Sequence, residues 1–379
     1  MEVTDLFSHK IHSSGDDWPN KLIDIASIFY EFDGKPYDRA AIEKRLSEIS
    51  PRSSVVARDP AKLRDEISAY PAYLGLYRIE LLNDVWHIFL SNSAKQFLVT
   101  EEPNVAAFML LQMTLFQYPN GMGVAYTSGS NGVRIQSNTR KRTLGFIENN
   151  IHLSPFRLIC VGLKADSNLR NLSLFEARLS IEEAFVLANQ VKTNGVAKPS
   201  VDDAENVLNA FRKGQILAPK KYESRFHILK HTNLLISDHE GIRVRDVLNQ
   251  TDAEELQSKF DAVISIETQF NGFDDATISD DLLNEIRLCN WGRYFDGVRT
   301  LKADIVNILT NENPAIFSEL EATKKDQHKG AEVIKSENIY QLRQVDFSSA
   351  TDIHNSKSPS EKFMCLNKVF SPSDELTRG

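Results

Sequence analysis

Cysteine is scarce: three in 379 residues, too few and too far apart for a framework of cross-links. Cys160, Cys289 and Cys365 form no Cys-x-x-Cys pair, so neither a zinc ribbon nor a disulfide scaffold is expected, and a reducing compartment suits the chain. Long apolar runs are missing too. No stretch approaches a membrane span, and residues 1–15 lack the apolar core of a secretory leader, so the expectation is a cytoplasmic protein with no membrane partner. Positive charge is not in excess. A formal net charge of −8 excludes a general polycation, and any nucleic-acid binding must use a local basic face.

Familiar catalytic patterns are equally thin. There is no Gly-x-x-x-x-Gly-Lys-(Ser/Thr) phosphate loop. The nine histidines are scattered. His227 and His231 fall in a stretch that reads as strand and are expected to be polar surface residues rather than ligands. Asp274-Asp275 and Asp280-Asp281 could hold Mg²⁺, but they precede a helix and read as capping carboxylates. No cofactor is expected.

What is present is an ordinary globular composition, 41% hydrophobic and 25% charged, in a chain long enough for two or three domains. The most informative stretch is residues 70–121. Tyr77–Leu82 and Val85–Leu90 are β-prone runs joined by Asn83-Asp84, the spacing of a hairpin with a two-residue turn. A capped turn of helix follows at residues 92–98. Pro103 then opens an apolar helix over 104–118 that stops at Pro119-Asn120-Gly121. Upstream, residues 20–30 and 37–49 carry helical apolar stripes, and Asp59-Pro60 caps a third helix over 61–69. Three helices, a hairpin and a closing helix make a winged-helix layout. The helix over 61–69 takes the recognition position, with Arg58, Lys62 and Arg64 toward a DNA groove and Arg52 in the connection before it. These cations are equally the ordinary solvated face of a surface helix.

After Gly121 the chain turns to Gly, Ser and Asn and reads as a long loop or weak hairpin carrying Arg134, Arg140, Lys141 and Arg142, a composition suited to phosphate contacts. Helices are expected over 149–162, over 181–190 with a Ser180/Glu183 capping box, and over 199–211. A second run then repeats the first in order: β-prone residues 224–237, a turn at His239-Glu240-Gly241, a strand over 242–247 and a helix over 253–264 capped by Thr251 or Asp252. It predicts a second winged helix, with Lys220, Lys221, Arg225, Lys230, Arg243 and Arg245 on its positive face. The expected fold class is α+β and mostly helical: a first subdomain over 1–150, a second over 151–270, and a helical linker with a polar, partner-binding tail over 271–379.

The letters of the central stretch carry a resemblance. Pro71-Ala72-Tyr73-Leu74-Gly75, then the hairpin, then Asn92-Ser93-Ala94-Lys95-Gln96-Phe97-Leu98, then Gln117-Tyr118-Pro119 resemble the first recognition subdomain of Type IIS restriction and nicking endonucleases of the AlwI kind. The run SRFHILKHTNLLISDHEGIRV and the helix after it look like the second subdomain of that family. The resemblance spans roughly residues 18–263 and implies paired winged-helix subdomains reading an asymmetric DNA site. It departs where such enzymes carry a nuclease, with a metal-binding Asp and Glu-x-Lys. Glu319, Glu321 and Lys324 come nearest, but two residues separate Glu321 from Lys324, and no Pro-Asp precedes them.

The reading is therefore sequence-specific recognition of double-stranded DNA within a restriction or anti-phage system. Cleavage or translocation would come from a partner, expected to be a nuclease, helicase or ATPase subunit. Two alternatives stay open: a divergent Mg²⁺-dependent endonuclease, and a winged-helix protein-assembly module that binds no DNA.

Overall fold

The β-hairpin forms where its turn residues require it. Strands β1 (Tyr77–Leu82) and β2 (Val85–Leu90) pair antiparallel from Tyr77 opposite Leu90 to Leu82 opposite Val85. Asn83 and Asp84 sit at φ 50° and 62°, the left-handed pair that matches the twist of a two-residue hairpin. In the computed structural model, residues 1–7, 18–49, 74–120, 125–126, 133–134, 137–195, 198–223, 225–273 and 275–317 are described. The expected recognition helix over 61–69 and the segment after Phe317 lie outside them.

Before the hairpin, α1 (Trp18–Glu31) buries Leu22, Ile25, Ala26 and Phe29, and α2 (Arg39–Ile49) buries Ile42 and Leu46. After it, α3 (Asn92–Phe97) is capped by the Ser91 hydroxyl, which accepts from the Ala94 N–H. Asn104 caps α4 (Val105–Leu115) in the same way, accepting from Ala107. Every residue from Ala107 to Leu115 is buried, so α4 is a central helix covered on all sides. It ends at Leu115 rather than running to residue 118, because the next residues bond elsewhere. Tyr118 and Leu153 exchange backbone hydrogen bonds of 2.7 and 2.9 Å, and the Gln117 amide pairs with the backbone of Phe270 at 3.0 and 2.9 Å.

The Gly/Ser/Asn-rich stretch holds a minimal hairpin, β3 (Ala125–Tyr126) with β4 (Val133–Arg134), and then, contrary to the loop expected there, helix α5 (Ser137–Glu148). Helix α6 (Pro155–Arg170) follows later than the sequence predicts, since residues 149–154 form the connection that meets Tyr118. Next come α7 (Ile181–Ala188), α8 (Val191–Asn194) and α9 (Val201–Arg212). The Ser180/Glu183 capping box is present in both directions, and Ser200 caps α9.

The β-prone run over 224–237 is only half strand. His227–Thr232 is a 3₁₀ helix, and β5 (Leu235–Asp238) pairs with β6 (Gly241–Val244) after it. His231 packs against Trp18 with ring centroids 4.3 Å apart and the rings inclined at 33°, and His227 is exposed. Helix α10 (Gln250–Ser265) is capped by Asn249 rather than by Thr251 or Asp252. The chain then forms α11 (Asp280–Glu285), a π-helical turn (Ile286–Asn290), α12 (Trp291–Tyr294), α13 (Gly297–Thr300) and α14 (Ala303–Thr310).

The described residues are thus α+β and mostly helical, with three two-stranded antiparallel sheets. Met1–Pro314 forms one unit, and the residues after it a second. Within the first unit, α4 touches α1, α3, α6, α13, α14 and the 3₁₀ helix, so contacts cross both residue 150 and residue 270. Among the described residues, no helix is long and apolar enough to cross a membrane.

Candidate nucleic-acid interface

The motif residues of the central stretch hold the scaffold together. Gln112, fully buried on α4, donates from Nε2 to the carbonyls of Leu74, Gly75 and Phe295 and accepts the Gly297 N–H at 3.0 Å. Gly75 at φ +65° is the close point of that junction. Between Phe295 and Gly297, the buried Asp296 carboxylate accepts from the N–H groups of Asn92 and Ser93 at 2.7 and 2.9 Å and from the Ser93 hydroxyl at 2.7 Å. Lys95 reaches Asp33 at 2.6 Å, and Asp33 also accepts the Leu90 N–H, which ties α3, the hairpin and the loop after α1 together. On β1, Glu80 receives Arg78 at 2.6 Å and Arg293 at 2.8 and 2.9 Å. Burial alone would raise the Glu80 carboxyl; the two guanidinium groups outweigh it and hold it well below the usual carboxylate range.

The cations expected at an interface divide into those with carboxylate partners and those open to solvent. Arg140 meets Asp280 at 2.9 Å and the Ile278 carbonyl at 2.8 Å. Arg142 meets Asp5 at 3.6 Å and lies over the rings of Tyr118 and Phe146. Both stand on α5 rather than in a loop, with exposed Lys141 between them. Arg243 is held by Asp238 and Asp246 at 3.0 and 2.6 Å. Arg245 makes a two-pronged contact with Asp252, whose carboxyl is lowered to about 2 by that contact first and the Leu248 N–H second. The fields of these arginines are largely cancelled at close range.

Lys220, Lys221 and Lys230 are exposed, as is Arg225, which meets Glu223 at 3.2 Å. The segment bearing them is anchored rather than loose. Tyr222 stacks on Phe185 with centroids 4.7 Å apart, and the Glu223 N–H donates to the Thr4 carbonyl at 2.8 Å. Lys213, exposed at the end of α9, precedes the same basic run and was not singled out from the sequence; its place just before the Lys220-Lys221 pair was the available signal. The backbone of Arg134 lies in β4, and its side chain is outside the described residues. Arg52, Arg58, Lys62, Arg64, Glu319, Glu321 and Lys324 lie outside them as well. Among the described residues, no three His, Cys, Asp or Glu side chains gather closely enough to hold a metal ion.

No protein-family model and no curated protein matches the chain. Among solved structures, it is similar to the binding domain of the BpuJ1 endonuclease, determined in complex with pyrene- and phenanthrene-modified DNA. The TM-score is 0.55 at 15% identity, covering 78% of this chain and 97% of that one. At that identity the likeness is one of fold.

Proposed function

We propose that this chain recognises a specific sequence in double-stranded DNA within a restriction or anti-phage system, with cleavage or translocation supplied by a partner, a nuclease, helicase or ATPase subunit. The observation that carries the reading is the fold shared, over almost the whole of the neighbour, with an endonuclease binding domain solved on DNA. The AlwI-like letters of residues 70–121 support it from the sequence side. In this reading β1–β2 and β5–β6 are wings of two winged-helix subdomains, and Arg58, Lys62 and Arg64 precede the first wing as base readers. Arginine suits that role because its fork matches guanine O6 and N7. Lys220, Lys221, Arg225 and Lys230 meet phosphate, joined by Lys141. Arg52 and Arg134 are further candidates for DNA contact in this reading. Arg140, Arg142, Arg243 and Arg245 shape the surface while keeping their carboxylates.

Replacing Lys220 and Lys221 together by Ala tests the phosphate assignment. Each lost phosphate contact lowers the slope of log affinity against log salt by about 0.9, so the double variant is expected to lose about 1.8 on every duplex sequence. Both side chains are exposed, so the melting temperature should hold. A slope equal to that of the parent protein would remove these lysines from the interface.

A further inference from the structure

A groove of about 680 Å³ runs between α10 and α14, beside Phe175. Its α10 wall is Gln250, Glu254, Gln257, Ser258, Asp261 and Ser265, spaced to form one stripe along the helix. The buried stripe of the same helix, Leu256, Phe260 and Val263, faces the core. Half-buried Phe175, Ile305 and Ile308 supply apolar surface to the groove, with Ala253 and Ala262 between. Among the described residues, no Lys or Arg lines it. Glu254 and Asp261 accept from the amides of Gln250 and Gln257 at 2.9 and 3.0 Å, neutral donors that leave their charge in place. The nearby Lys259 is already engaged by Glu255 at 2.5 Å.

An apolar trough rimmed by carboxylates that meet no cation among the described residues repels phosphate and accepts a cationic partner. We infer that this groove docks an amphipathic helix of a partner protein, with two or three apolar residues on one face and Lys or Arg flanking them. Helix-in-groove recognition of this kind reads apolar anchors at i, i+3 or i+4, and i+7, and α10, at 16 residues, is about 24 Å long, enough for such a helix to lie alongside. Charge complementarity selects the basic helix over an acidic one and sets its direction of approach. The inference rests on the part of the proposed function that calls for a partner, not on DNA binding.

Three synthetic helical peptides test it by fluorescence anisotropy against the full chain. The first has a Leu stripe with Lys flanks, the second the same stripe with Glu flanks, and the third Lys flanks with Ser in place of Leu. The first is expected to bind at least tenfold more tightly than either of the others. Ser258→Trp, at an exposed position in the trough, is expected to abolish binding, and Glu254→Gln with Asp261→Asn to weaken it about tenfold. Duplex DNA binding by all these variants should stay at the parent value, which separates a failure here from a failure of the DNA reading. Equal binding of the Leu and Ser peptides, equal binding of the Lys and Glu peptides, no binding of the first peptide, or binding that survives Ser258→Trp would each overturn the inference.

Discussion

Gly75→Ala is expected to destabilise the protein by on the order of 4 kcal/mol, a large share of the roughly 5–15 kcal/mol that holds a typical domain folded. A Cβ at this position would lie 2.2 Å from Gln112 Nε2 and 2.6 Å from the Phe295 carbonyl oxygen. Neither neighbour can yield cheaply. Gln112 is buried and holds three carbonyls, so moving it strands polar groups at about 1–3 kcal/mol each. The Phe295 contact is backbone, next to the Asp296 junction. The φ of +65° adds about 1–2 kcal/mol for any residue with a Cβ. Urea denaturation measures the loss directly. Gly34→Ala is the control: its φ is also positive, at +71°, but its Cβ would meet only a ring atom at 4.0 Å, so it should show the backbone cost alone. Equal losses at the two glycines would contradict the crowded junction.

Glu80→Gln is the second large effect, expected at about 3–5 kcal/mol near neutral pH, because it leaves the buried Arg78 and its neighbour Arg293 without their carboxylate. The loss should depend on pH with a definite sign. The folded pKa of Glu80 is depressed below that of the unfolded chain. Its contribution is therefore complete above the unfolded value of about 4.3 and declines as pH falls below it toward the folded pKa. The stability gap between parent and variant should hold from pH 7 to about 5 and then narrow by up to about 1.4 kcal/mol per pH unit. Urea midpoints measured from pH 7 to 3 give that curve. A gap that widens on acidification, or stays flat to pH 3, would mean that Glu80 carries no ion pair of consequence.

Features set by neighbours in sequence were legible in advance. The Asn83-Asp84 turn, the Ser180/Glu183 box and the buried stripe of α1 each follow from a few adjacent residues. Features set from far along the chain were not. Helix α5 contains Asn, Thr and Gly, which have little intrinsic helical preference, around its run of cations. It is fastened instead by Arg140 to residues 278 and 280 and by Arg142 to Asp5. The premature end of α4 depends on Leu153 and Phe270, which no local pattern around Gln117 reveals.

The candidate site was legible as composition but not as electrostatics. Arg243 and Arg245 look like free cations until Asp238, Asp246 and Asp252 come alongside. Lys220 and Lys221 look the same in sequence and remain open to solvent. The motif letters that carry the family resemblance prove to be scaffold: Gly75, Ser93, Lys95 and Gln117 join distant segments.

Sequence-specific duplex recognition is tested most directly by selecting, at low salt, the members of a random double-stranded DNA pool that the full chain retains, then measuring affinity for the enriched duplex and for a shuffled one. The expected outcome is a single asymmetric enriched site, bound at least a thousandfold more tightly than the shuffled duplex, in the range of specific DNA-binding proteins. A pool that emerges unenriched, from a chain whose circular dichroism shows it folded, would contradict DNA recognition as the function of this protein.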